Sequence, residues 1–106
     1  MQRISGIFFI TVALMSGAGA QTIGDPAAGR RLAEAWCTEC HAIGRESAGR
    51  SLRGPSFADV AKRPKTTPLS LNVFLRSNHD NMPNIILKRD EADDIVAYIL
   101  SLKGAE

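Results

Sequence analysis

Nowhere in the 106 residues do apolar and polar side chains alternate long enough to make a half-buried strand, and no segment repeats. Sheets and solenoids are thereby set aside. An excess of one charge is missing too: 13 Lys and Arg stand against 11 Asp and Glu, a formal +2, which argues against nucleic acid as a partner. Long hydrophobic runs are equally scarce. The apolar stretch from Ile7 to Met15 is broken by Thr11 and ends in Ser16-Gly17, short of the roughly 20 residues that span a bilayer. With Arg3 ahead of it and Ala18-Gly19-Ala20 behind, it has the layout of a secretory leader cut after Ala20. No cysteine stands at that cut, so a lipid anchor is not indicated. The expected organisation is a leader over 1–20 and one domain over 21–106, exported to the periplasm without stable membrane insertion and monomeric.

Cysteine is also rare, with two in the whole chain. In an exported protein two cysteines most often make one disulfide. Closing Cys37-x-x-Cys40 would staple so small a loop that the entropic gain is slight, and the pair needs another use. Cys37-Thr38-Glu39-Cys40-His41 is C-x-x-C-H, the attachment signature of c-type haem. Two cysteines one helical turn apart can each add through sulfur to a vinyl group of the same porphyrin. The next residue then lies under the ring with an imidazole nitrogen toward the iron. His41 carries most of the specificity, because the cysteine spacing alone would also suit a dithiol pair or half of a zinc site. One covalently bound haem c is the expected cofactor. So short a domain cannot build a generous core, and a buried porphyrin would supplement it.

Local signals along the rest of the chain are all helical. Asp25-Pro26 opens a first helix with a side-chain acceptor followed by proline where its missing N–H is no loss. Ala28, Leu32, Ala35 and Trp36 follow at helical spacing. Residues 44–55 have no apolar period and read as a loop. Phe57, Val60 and Ala61 suggest a short helix ended by Pro64, and Thr67-Pro68 starts another with Leu71, Phe74 and Leu75 on its apolar face. His79 to Asn84 is polar and irregular. A last helix takes acidic residues in its first turn, carries Ile95, Tyr98, Ile99 and Leu102 inward, and ends at Lys103-Gly104.

An iron held by His41 leaves one face open, and His79, Met82 and Met15 are the candidates for it. Met15 departs with the leader. Met82 is favoured because it lies in a polar loop, where core filling does not explain it, and because thioether sulfur suits reduced iron. His79 is the rival; the two are too close for one loop to present both to one iron. Basic residues Arg45, Arg50, Arg53, Lys62, Arg63 and Lys65 crowd the segment after the motif, while Asp90, Glu91, Asp93 and Asp94 cluster near the C-terminus.

With C-x-x-C-H early, Gly54-Pro55 in the middle, and Asn81-Met82-Pro83-Asn84 ahead of a helix containing Ala97-Tyr98, the chain resembles the small monohaem class I c-type cytochromes of bacteria. That resemblance implies an all-α cytochrome c-like fold, about four helices around one covalent haem with the N- and C-terminal helices crossing. It implies electron transfer rather than enzymatic catalysis. It also implies that the Pro55 carbonyl accepts the second ring N–H of His41, fixing the ligand's orientation and basicity. The crossing maps onto Gly29, Ile95 and Tyr98. Two positions depart from the family pattern: Ala33 stands where an aromatic is usual, and Lys88 where Ser or Thr often caps the last helix. Arg53, Arg63, Thr66 and Thr67 have the right chemistry to meet the haem carboxylates. The expected partners are redox proteins, a donor dehydrogenase or respiratory complex and an acceptor oxidase. Two other roles share these residues: a gas-binding or sensing module with a displaceable Met82, and a dedicated cytochrome subunit of a periplasmic dehydrogenase.

Overall fold

The structure is a computed structural model, and it describes residues 2, 6, 7, 9–12, 23–77, 82, 83 and 85–104. The leader cut expected after Ala20 lies outside the described residues, as does His79. Among the described residues the domain has four helices, α1 (Pro26–Trp36), α2 (Phe57–Lys62), α3 (Pro68–Arg76) and α4 (Arg89–Ser101), with a 3₁₀ turn at Arg45–Ser47. That turn lies inside the stretch expected to be loop. Among the described residues none of the helices is long and apolar enough to cross a membrane.

The helix starts follow the local chemistry. Asp25 accepts the Ala27 N–H at 2.9 Å with Pro26 behind it, and Thr67 and Ser70 cap each other at the start of α3 through bonds of 2.9 and 3.0 Å. Ser56 caps α2, accepting the Asp59 N–H at 3.1 Å. At α4 the cap works from the other side. Lys88 has no acceptor to offer, but its own N–H donates to Glu91 Oε1 at 2.9 Å, one half of a capping box. Glu91 therefore takes the task of the missing Ser or Thr. The helix closes at Ser101, two residues before the expected end, and Gly104 turns the chain with φ +88°.

Helix α4 is the hub, packed against α1, α2 and α3. Ala92, Ile95, Val96, Ala97, Tyr98, Ile99 and Leu102 are all buried on or just after it. Its expected inward stripe is thus present and wider than four residues. Full burial of a side chain such as Ile95 or Leu102 stabilises by about 1.5–3 kcal/mol, so this helix supplies most of the core.

The α1 face differs from the apolar spacing of the sequence. Gly29 and Ala33 are the buried positions; Leu32 packs at the edge of the core, while Ala35 is exposed and Trp36 keeps 43% of its surface. Size decides this. A Cβ on Gly29 would overlap the Asp94 carbonyl and stand 2.9 Å from Tyr98 Cβ, so the helices cross with backbone against backbone. The small side chain of Ala33, where an aromatic is usual, is completely buried in the same seam. The Asp25 N–H at the start of α1 also donates to Asp94 Oδ1 at 2.8 Å, and Tyr98 Oη ties α4 to the segment after the turn by donating to the Ile43 carbonyl at 2.7 Å.

Candidate functional site

The two cysteines and the histidine sit on the turn that ends α1. Cys37 is the C-cap, its N–H still bonded to the Ala33 carbonyl at 2.9 Å. The next turn folds back on it: Cys40 N–H and His41 N–H both donate to the Cys37 carbonyl, at 3.2 and 2.9 Å. Three side chains are thereby presented from one tight turn.

Both thiols are free, Cys37 buried and Cys40 half-buried. Burial, with the neighbouring Cys40 adding to it, pushes the Cys37 thiol up to about 11. A redox-active dithiol relies on a depressed thiol, and this environment acts in the opposite direction. Nor do the described residues gather three or more His, Cys, Asp or Glu side chains in the manner of a zinc site.

His41 is held by what lies behind it. Its Nδ1 is 2.6 Å from the Pro55 carbonyl oxygen, which can only accept, so Nδ1 carries the hydrogen and in the neutral ring Nε2 keeps its lone pair. That is the tautomer a metal-binding imidazole needs. The ring also lies against the Gly54 backbone and meets the Phe57 ring at 5.2 Å between centroids, tilted by 44°. Gly54 in turn donates its N–H to the Cys40 carbonyl at 2.8 Å, and Phe57 donates to Ala42 at 2.9 Å. Cys37, Cys40, His41 and Pro55 are thus joined in one cluster.

Met82 takes no part in those bonds; it is half-buried in the connection between α3 and α4. Of the four residues considered for the haem carboxylates, Thr66 uses its hydroxyl hydrogen on the Val60 carbonyl at 2.7 Å and Thr67 accepts the Ser70 N–H. Arg53 and Arg63 are exposed. An open cavity of about 380 Å³ flanks His41 between Arg30, Glu34, Glu46 and Tyr98, but neither cysteine lines it, so it is not the face of attachment.

The sequence marks Phe57 and Tyr98 as apolar-face residues and carries no sign of their contacts around the haem turn. Phe57 meets the motif at His41, and Tyr98 bonds to Ile43, two residues beyond it. The only available hint was an aromatic two residues after Pro55.

A helical domain whose first helix ends in a C-x-x-C-H turn, with the imidazole backed by a carbonyl, defines a haem-carrying protein. Comparison with known proteins agrees. Residues 24–99 match the family described as cytochrome C oxidase, cbb3-type, subunit III. Cytochrome c-552 of Bradyrhizobium diazoefficiens is 39% identical over 94 residues, covering 89% of this chain and 90% of that protein. No solved structure matches the chain. The chain belongs to the cytochrome c family, as a small class I c-type cytochrome with an all-α fold. Its cofactor is covalently bound haem c, and its work is electron transfer with redox partners.

Proposed function

We propose that this cytochrome is a periplasmic electron carrier whose haem is linked by thioethers to Cys37 and Cys40 and ligated by His41 and Met82. The observation that carries this reading is the 2.6 Å bond from His41 Nδ1 to the Pro55 carbonyl, beside two free thiols on the same turn. When bound, the haem supplies one-electron chemistry between Fe(II) and Fe(III). The chain's own residues do the rest. Pro55 fixes the imidazole tautomer and raises its donor strength, Gly54 and Phe57 set the ring's plane, and Met82 offers a soft sulfur that favours the reduced state and blocks oxygen chemistry.

The surface supports a planar apolar cofactor. Leu69, Val73 and Phe74 on α3 and Ile86 in the loop after Met82 keep 74, 56, 43 and 91% of their surfaces, apolar area that a macrocycle can cover. The periplasmic part is supported by Ile7, Phe9, Ile10 and Val12, each more than three-quarters exposed and so outside the core, as suits a leader removed after Ala20. The basic residues from Arg45 to Lys65 are concentrated in one segment, charge to which an acidic donor or acceptor can dock weakly and in a salt-sensitive way.

The test is an optical spectrum of the exported protein in both oxidation states, with a haem count and a search for the sulfur-to-ferric-iron charge-transfer band. One haem per chain with that band is expected. Met82→Ala should abolish the band and lower the midpoint potential; survival of the band would assign the sixth position to another residue.

A further inference from the structure

The segment between the haem motif and α2 is a loop closed at its mouth by the Phe57–Ala42 and Gly54–Cys40 backbone bonds. Two side chains then clasp its far part to the first turn of α2. Ser47, almost completely buried, accepts the Ala58 N–H through Oγ at 3.3 Å. Asp59 Oδ2 accepts the Gly49 N–H at 2.9 Å, reaching a backbone that Gly49 holds at φ +77°. Capping of α2 does not require either bond to the loop, because Ser56 already supplies the N-cap acceptor. Pro55 lies on the strip of chain that joins the clasped segment to the helix. Its carbonyl is therefore held from both ends, by the mouth of the loop and by the clasp.

We propose that Asp59, together with Ser47, is a positioning residue that sets how closely the Pro55 carbonyl holds His41 Nδ1–H, and through that bond tunes the reduction potential. The inference rests on His41 being an axial ligand, as in the reading above. A firm Nδ1–H···O=C bond makes the imidazole a stronger donor, which favours Fe(III) and lowers the potential. Opening the clasp lets the loop relax, lengthens that bond and moves the potential upward. The negative charge of Asp59 acts in the same direction, since an anion near the site also favours Fe(III). Geometry and charge must therefore be separated.

Three variants of the haem-loaded protein separate them. Asp59→Asn removes the charge but keeps an oxygen able to accept the Gly49 N–H; Asp59→Ala removes both; Ser47→Ala opens the other half of the clasp without altering charge. The measurements are the midpoint potential and the paramagnetically shifted ring resonances of His41 in the ferric protein. The expected result is a positive potential shift and displaced His41 resonances in Asp59→Ala and Ser47→Ala, with Asp59→Asn close to the parent. Equal shifts in Asp59→Asn and Asp59→Ala with Ser47→Ala unchanged would mean charge alone and overturn the proposal. So would loss of thermal stability with the potential and the His41 resonances unmoved. If Asp59→Ala fails to load haem, Ser47→Ala carries the same test. A parent protein with attached haem but no ligand resonances from His41 would instead refute the ligand assignment on which the inference rests.

Discussion

Gly54 lies flat against the His41 imidazole: a Cβ there would stand 2.8 Å from Nδ1 and 3.0 Å from Nε2. The ring cannot yield, because Nδ1 is bonded to Pro55 on one side and Phe57 packs nearby. Glycine at this position is therefore a condition of the ring's placement.

Gly54→Ala should destabilise the haem-loaded protein by about 1–3 kcal/mol, the usual cost of forcing an extra methyl into a packed site. Chemical denaturation followed through haem absorbance checks this. An unchanged midpoint would mean that the ring and the loop can separate freely.

Gly29→Val should cost more, about 3 kcal/mol or above, because the new side chain meets the backbone of Asp94 rather than a movable side-chain tip. The α1–α4 crossing must open for it. Far-UV circular dichroism during thermal unfolding is the measurement, and a melting temperature within error of the parent would contradict backbone-to-backbone packing.

Tyr98→Phe keeps the buried ring and removes the hydroxyl that donates to the Ile43 carbonyl. A loss of about 1 kcal/mol is expected. Burial, the largest influence, raises the Tyr98 phenol above its ordinary value of 10.0. The native state then holds that proton more tightly than the unfolded chain does. Stability from this group is complete below pH 10 and declines as pH rises through the native value. Alkaline denaturation curves of parent and Tyr98→Phe should therefore converge as pH climbs.

Asp59 predicts the opposite limb. The Gly49 N–H, then Ser56, and more distantly Lys62 and Arg63 hold its carboxyl below the ordinary 3.8. The unfolded chain takes up the proton first as pH falls. Stability from this group is thus complete well above pH 3.8 and is lost as pH drops through the depressed native value. In acid titrations monitored by haem absorbance, Asp59→Asn should flatten this part of the curve; an identical acid limb would remove Asp59 from the account.

Much of this protein was readable from neighbouring residues alone. The C-x-x-C-H motif, Asp25-Pro26 and Thr67-Pro68 act within one helical turn, so their chemistry is written in adjacent letters. The cofactor and the starts of α1 and α3 followed from them, while α2 and α4 followed from apolar spacing and, for α4, from its acidic first turn. The buried face of α1 did not. Apolar spacing pointed to Ala28, Leu32, Ala35 and Trp36, whereas Gly29, which the family resemblance but not the spacing placed at the crossing, and Ala33 face α4, because contact between helices selects the smallest side chains and that choice depends on a partner some 65 residues away. The same holds for Tyr98 on Ile43, Asp94 on Asp25 and Asp59 on Gly49. Local composition decided which segments are helices and which residues can carry a porphyrin. Apart from Pro55 behind His41, which the family resemblance implied, only the folded chain decided what stands behind each of them, since a hydrogen bond or close contact between distant segments exists only once the core has brought them together.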